Sequence, residues 1–134
     1  MNKTKEWLYF AYSDILTCER ILYDEMLSNI VAFHAQQAVE KSFKALIIHK
    51  KDKVPKQHDL IRLYKRIEFY LDIDDDSILD DLNKLYIESR YPSSFGLLPY
   101  GKPTLEDAKK FYEFANEIFD KVCEILGVDR SEII

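Results

Sequence analysis

The stretch AFHAQQAVEKSFKAL, residues 32–46, decides the fold of this chain. Its apolar residues recur at every third or fourth position, which is the period of an amphipathic α-helix and differs from the alternation of a β-strand. On a helical wheel one face collects residues that are small or apolar: Ala35, Ala38, Val39, Ser42, Phe43 and Leu46. The stretch therefore predicts a helix that packs this face into a core, with small side chains that let a neighbouring helix come close.

The opposite face of this helix is half polar, and we call it the polar stripe. Within about 80° of arc it carries four polar side chains and one aliphatic one: His34, Gln37, Lys41, Lys44 and Ile48. Plain exposure to water is one explanation, but it would leave Ile48 and the bordering Phe33 uncovered among lysines. A homodimer interface accounts for the mixture, and so does a ligand groove at such an interface. We expect four residues at a dimer interface: Phe33, Gln37, Lys41 and Ile48.

The helical period extends over most of the chain, and alternating β-branched runs are absent. Asp59 is expected to cap one helix and Thr104 to open another with a sequence close to a capping box, while Gly127 suits a left-handed C-cap. The pattern predicts five helices, at residues 3–23, 28–49, 59–70, 76–89 and 104–126. We therefore expect an all-α fold, an antiparallel up-and-down bundle of four or five helices that forms a homodimer. It would be a single domain over residues 1–134, with its core at about 3–127.

Composition excludes several classes of protein. Apolar residues make up 47% of 134, too many for a disordered chain and enough for one sizeable core. No apolar run approaches the ~18 residues of a membrane span, and no separate apolar leader precedes the first helix. Cys18 and Cys123 lie far apart without metal-ligand spacing, so we expect buried free thiols, no metal and no cofactor. These features favour a cytoplasmic protein that does not bind a membrane.

Charge is unevenly distributed along the chain. The net charge is −5, yet residues 41–66 hold nine Lys or Arg against two acids, whereas residues 72–81 hold six Asp and no base. Such a charge asymmetry could steer a phosphate-bearing partner to one face of the molecule. The alternative is a solvated loop with charged helix ends.

Several catalytic patterns are absent from the sequence. No acid stands three residues before any of the three histidines, which argues against a di-iron carboxylate bundle. A Gly-rich phosphate loop, a Gly-x-Ser-x-Gly elbow and the spacing of an EF-hand are missing as well. Residues 90–103 form a connection longer than chain reversal needs, and such a loop is either functional or a simple crossover.

Four segments, spread over nearly the whole length, fall into one family pattern. The most specific is FHAQQAVEK at 33–41, followed by KAL at 44–46. The other three are Trp7, Ala11 and Asp14 in the first helix, KQHDL at 56–60, and SRYP at 89–92 with Thr104 and Ala108 after it. Together they resemble the HEPN domain family (higher eukaryotes and prokaryotes nucleotide-binding) in its small single-domain prokaryotic form.

The resemblance implies an α-helical bundle that dimerises around a cleft. Many members of the family are metal-independent ribonucleases, and many are toxins paired with a small nucleotidyltransferase; others bind nucleotides or act as scaffolds. The ribonuclease members carry Arg, four to six residues, and then His. Arg90 matches the Arg, but the His positions hold Phe95, Gly96 and Leu97, and no His follows Arg90 anywhere. Tyr100 lies in the loop where some toxins are modified on a tyrosine, although its spacing differs.

The missing histidine decides the expected function. Cleavage of RNA without metal needs a group that takes the 2′-OH proton, which His does well near neutral pH and Arg cannot do. We therefore expect a dimer-interface cleft that binds nucleotide or RNA phosphate without ribonuclease activity, in a protein paired with a minimal nucleotidyltransferase. The candidate binding residues are Arg90, Tyr91, His34, Gln37, Lys41 and Lys44. The alternatives are a ribonuclease toxin with a non-standard base such as His34 or His58, and a purely structural dimeric scaffold.

Overall fold

The chain folds into five α-helices within the part that the computed structural model describes, which is residues 3–50, 53–89 and 101–133. The helices are α1 (Lys3–Ile21), α2 (Ser28–His49), α3 (Leu60–Lys65), α4 (Ser77–Ser89) and α5 (Leu105–Leu126). Short 3-10 turns at Glu25–Leu27 and Arg130–Glu132 precede α2 and follow α5. The expected all-α class is confirmed, and the five helices pack as a bundle. None of the described helices combines the length and the apolarity that a bilayer crossing demands.

Helix α2 is the central helix of this bundle. It packs against each of the other four helices, and fourteen of its 22 residues are buried. The face predicted from the helical wheel is confirmed, since all six of its residues are buried: Ala35, Ala38, Val39, Ser42, Phe43 and Leu46. Helices α1 and α2 form an antiparallel hairpin, because Trp7 contacts Lys44 near one end and Cys18 contacts Val31 near the other.

Helix α5 runs antiparallel to α1 and therefore in the same direction as α2. The rings of Tyr12 and Phe119 stack with centroids 5.6 Å apart, and the Tyr112 hydroxyl donates to Glu19 at 2.6 Å. At the start of α5, the Ser28 hydroxyl donates to the Pro103 carbonyl at 2.6 Å. This hydrogen bond fixes the beginning of α5 against the beginning of α2.

Local capping explains where the helices begin and end. Thr104 and Asp107 form the expected capping box of α5, and Gly127 ends that helix in the left-handed region with φ 67°. Asp59 caps α3 as predicted. The predicted end of this helix at residue 70 is wrong, because α3 ends at Lys65 and turns follow. The Tyr64 hydroxyl donates to the Leu71 carbonyl at 2.8 Å and so ties the turning chain back to α3.

Candidate functional site

The structure divides the polar stripe between two buried acids. We call the first group the Asp14 cluster, which consists of Asp14, His34 and Lys41. The second is the Glu40 cluster, which consists of Glu40, Gln36, Gln37, Lys44 and His58. Each acid is almost fully buried, with 5% of Asp14 and 4% of Glu40 exposed. Because a buried carboxylate is stable only with hydrogen-bonding or charged partners, these acids fix the positions of the side chains around them.

The Asp14 cluster joins α1 to α2 through a single carboxylate. His34 Nδ1 lies 2.8 Å from one oxygen of Asp14, and Lys41 Nζ donates to the other oxygen at 2.7 Å. The side chains of His34 and Lys41 remain 30% and 23% exposed, so both reach the surface. A carboxylate that holds Nδ1 fixes the orientation of an imidazole and leaves Nε2 for another partner.

The Glu40 cluster contains a deeply buried lysine and an exposed histidine, since 48% of the His58 side chain is exposed. Lys44 Nζ donates to Glu40 at 3.1 Å, and His58 Nδ1 lies at the same distance from the same oxygen. The side-chain amide of Gln36 donates to the other carboxylate oxygen of Glu40 at 3.2 Å. The side-chain oxygen of Gln36 accepts a hydrogen bond from the Gln37 amide at 2.6 Å. Only 5% of the Lys44 side chain is exposed. Lys44 is therefore held inside the bundle by Glu40, whereas Lys41 and His34 lie at its surface.

The sequence pattern did not identify either acid as an organising residue. A fixed spacing of acid and histidine along one helix cannot reveal them, because Asp14 of α1 contacts His34 of α2, and Glu40 of α2 contacts His58 in the connection between α2 and α3. A usable signal was present for Asp14. It occupies a core-facing position of α1 among apolar residues, where an unpaired charge would be costly.

An open groove lies beside these clusters at the start of α1. Lys44 Nζ is 5.5 Å from the centre of the Trp7 ring, and Lys41 Nζ is 6.0 Å from the centre of the Phe10 ring. The groove has a volume of about 390 Å³ and is lined by Lys3, Glu6, Trp7, Phe10 and Val54. It therefore places aromatic side chains next to the lysines of the polar stripe.

The predicted loop residues of the site are not among those described. Arg90 and Tyr91, like Tyr100, lie outside the described residues. Arg90 directly follows the last residue of α4. Where the described chain resumes, Lys102 Nζ donates to the carbonyl of Glu25, in the turn before α2, at 2.8 Å.

The predicted interface residues are all present at the surface of α2. Phe33, Gln37, Lys41 and Ile48 are each partly buried within the single chain. The Phe33 ring packs edge-on against His34, with 5.4 Å between the ring centres. Their role in an interface stays a prediction. Among the described side chains, no group of three or more His, Cys, Asp or Glu could hold a metal ion.

Comparison with known proteins agrees with the motifs in α1, α2 and α5. The model of the HEPN domain matches residues 4–126. The chain belongs to the HEPN domain family. Among solved structures, this HEPN protein is similar to TT1696 from Thermus thermophilus, with a TM-score of 0.74 and 26% sequence identity. The match covers 93% of this chain and 99% of TT1696. No curated protein matches the chain.

Proposed function

We propose that this HEPN protein acts as a homodimer that binds nucleotide or RNA phosphate in a cleft at the dimer interface. The Asp14 cluster is the observation that carries the proposal. One buried carboxylate fixes an imidazole and an ammonium that both reach the surface. An ammonium has three N–H donors, and Asp14 uses one of them. Lys41 can therefore donate to a phosphate oxygen without releasing Asp14.

Arg90 would complete this anion site from the end of α4. A guanidinium binds phosphate through two parallel hydrogen bonds, and Tyr91 next to it offers a ring on which a base can stack. His34 Nε2 becomes a donor to phosphate when the imidazole is protonated. No His follows Arg90 in the sequence, so Arg90 would bind phosphate without the proton transfer that ribonuclease members of the family use.

Binding assays at low salt test the proposal directly, because phosphate contacts are strongest there. We would titrate ATP, AMP and a short RNA against the protein by calorimetry, with Arg90→Ala and Lys41→Ala as variants. Loss of either cation is expected to weaken binding by about tenfold or more, since each removes a charge-assisted hydrogen bond. Lys109→Ala is the matched control, because Lys109 is exposed on α5 away from the cluster. Failure of all three ligands to bind at low salt would refute the proposal.

The proposed protein partner is a minimal nucleotidyltransferase in a toxin–antitoxin-type pair. Membership of the HEPN family and the small size of the domain support this pairing. The neighbouring gene offers the first check, and co-expression followed by purification through a tag on one protein offers the second. A neighbouring gene for an unrelated protein, together with no co-purified complex, would contradict the pairing and indicate a binding protein that acts alone.

A ribonuclease with a non-standard base is a second candidate that one contact favours. Asp14 holds Nδ1 of His34 at 2.8 Å, the arrangement in which a carboxylate orients an imidazole for general-base work. In this alternative, Nε2 of neutral His34 accepts the 2′-OH proton as the 2′-oxygen attacks phosphorus, the bond from phosphorus to the 5′-oxygen breaks, and the imidazolium returns the proton to that leaving oxygen. RNA would then be cleaved in the presence of a chelator, with a bell-shaped pH profile, and His34→Ala would abolish cleavage. Intact RNA after long incubation excludes this candidate.

A further inference from the structure

The groove at the start of α1 combines aromatic surface with positive charge. Phe10 is 53% exposed although it is a large apolar side chain, and Trp7 lies one helical turn before it. Lys41 Nζ, on a side chain that is 23% exposed, lies 6.0 Å from the centre of the Phe10 ring, whereas Lys44 Nζ, 5.5 Å from the centre of the Trp7 ring, is buried against Glu40. Among the lining residues Lys3 balances Glu6, and beside the groove Lys41 uses one of its three N–H donors on Asp14 and keeps the others for an anion. The matching ligand is flat and aromatic and carries an anionic group.

We infer that this groove is the base-binding subsite of the phosphate site, and that a nucleobase stacks there on Phe10 and Trp7 while Lys41 holds the attached phosphate. The inference rests on the proposed function and adds a site for the base to the site for the phosphate. Lys41 lies between the Asp14 cluster and the groove, because its ammonium contacts Asp14 and faces the Phe10 ring. The Glu6 carboxylate offers an acceptor for N–H groups of the base.

Stacking of the base on an aromatic ring should change the binding affinity enough to be measured. Stacking of one base on an aromatic side chain contributes enough that removal of the ring weakens binding by about five- to a hundredfold. A cation beside the ring adds to the attraction for a phosphate-bearing ligand. A phosphorylated sugar without a base should therefore bind more weakly than the corresponding nucleotide.

Trp7 allows the groove to be observed directly, because it is the only tryptophan of the chain. We would excite its fluorescence near the red edge of its absorption and titrate AMP, ribose 5-phosphate and a six-nucleotide oligoadenylate at low salt. AMP is expected to quench Trp7 and to bind about tenfold more tightly than ribose 5-phosphate. Phe10→Ala should weaken the binding of AMP toward that of ribose 5-phosphate, because one stacking ring is lost, and the affinity for ribose 5-phosphate should stay unchanged.

Tyr23→Ala is the matched control for this experiment. Tyr23 is an exposed aromatic residue just after α1, at the other end of that helix from the groove. The Tyr23→Ala variant should bind AMP like the unchanged protein. The oligoadenylate separates two sources of the base: much tighter binding than AMP indicates an RNA strand, and equal binding indicates a mononucleotide. Either result supports a base subsite.

Two results would overturn the inference in distinguishable ways. Equal binding of AMP and ribose 5-phosphate, without quenching of Trp7, would remove the base subsite but keep the phosphate site. Failure of every ligand to bind would remove both. Quenching that depends on protein concentration alone would show that a second copy of the chain fills the groove, which also contradicts the inference.

Discussion

Asp14 is a charged residue in the core-facing side of α1, and its two partners stabilise it there. Asp14→Asn removes the negative charge and replaces one of the two acceptor oxygens by an NH2 donor, so that either the Lys41 ammonium or the His34 ring loses its acceptor. Because both partners reach solvent, we expect a loss of about 1–3 kcal/mol in the free energy of unfolding, less than for a fully buried pair. Urea unfolding followed by circular dichroism measures this change.

Asp80→Asn is the control for this substitution. Asp80 pairs with Lys84 at 3.2 Å on the surface of α4, where the two side chains are 55% and 46% exposed. An exposed pair of this kind contributes less than about 1 kcal/mol. If the two variants lost equal stability, the Asp14 cluster would not be the anchor that its geometry indicates.

The buried thiols provide a second prediction, which concerns alkaline pH. Burial, with help from Asp14 and Glu19, raises the pKa of Cys18 from its ordinary 9.0 to about 12. Burial raises the pKa of Cys123 to about 11. Between pH 9 and these values the unfolded chain has released protons that the folded chain still binds. The free energy of unfolding should therefore fall as the pH rises, by about 1 kcal/mol per pH unit for each thiol.

Urea titrations at pH 8, 9 and 10 test this dependence on pH. The Cys18→Ala variant should show a shallower fall in stability between pH 9 and 10 than the unchanged protein, because one of the two groups has been removed. Both thiols should also resist a thiol reagent at pH 8 until denaturant is added. Rapid labelling of folded protein would contradict the burial of the cysteines.

For single residues, the sequence predicts which face of a helix a side chain lies on better than which side chains it contacts. The helical wheel identifies the core face of α2 correctly, because the side-chain angle depends only on the period of the helix. It groups Lys44 with Lys41, but it cannot show that Glu40 and Trp7 hold Lys44 inside the bundle. The Trp7 contact comes from α1, and although Glu40 precedes Lys44 by one turn of the same helix, the wheel does not show that this pair is buried.

Helix α5 shows how a local signal determines an element. Thr104 accepts a hydrogen bond from the Asp107 amide at 3.0 Å, and Asp107 accepts one from the Thr104 amide at the same distance. Thr104→Ala removes one half of this capping box and should lower the free energy of unfolding by about 1 kcal/mol. Thr104→Ser should retain most of the stability.

Thr17→Ala is the matched control for the cap. Thr17 lies inside α1, where its hydroxyl donates to the Ser13 carbonyl at 2.8 Å. Because alanine favours the helix interior, this change should be neutral or slightly stabilising. Both variants can be measured by thermal unfolding. A Thr104→Ala protein as stable as Thr17→Ala would show that the capping box does not hold the start of α5.

Helix boundaries were predicted well where a local cap sets them. The prediction was wrong at the end of α3, where a side chain bonds to the turns that follow the helix. The bounds of α2 were predicted correctly at 28–49, and those of α4 and α5 were within one residue. Helix α3 was predicted five residues too long at its end. Its apolar period continues to Tyr70, but hydrogen bonds between Tyr64 and the following turn stop the helix at Lys65. The helical period alone does not contain this tertiary contact.

The basic segment 41–66 meets the acidic segment 72–81 at one end, where Lys65 lines a pocket together with Asp76 and Asp80, but its other described lysines lie elsewhere. Lys50, Lys53 and Lys56 are exposed where α2 ends and the chain continues toward α3. Val54 of this same basic connection lines the groove beside Trp7. The proposed base subsite therefore lies beside the exposed lysines of the basic segment. Steering of a phosphate-bearing ligand toward these lysines stays a prediction, and it would weaken with added salt.

Association of two copies is the prediction that belongs to the whole molecule. Phe33 is only half-buried within one chain and lies on the stripe of α2 that we propose as the interface. Phe33→Arg should convert a dimer to a monomer in light scattering with gel filtration, because two positive charges would meet across a two-fold axis. Phe69→Arg is the control, since Phe69 is 92% exposed and lies after α3. If Phe33→Arg leaves the mass unchanged while Phe69→Arg lowers it, the interface lies at the end of the α3 segment and the proposed cleft is wrong.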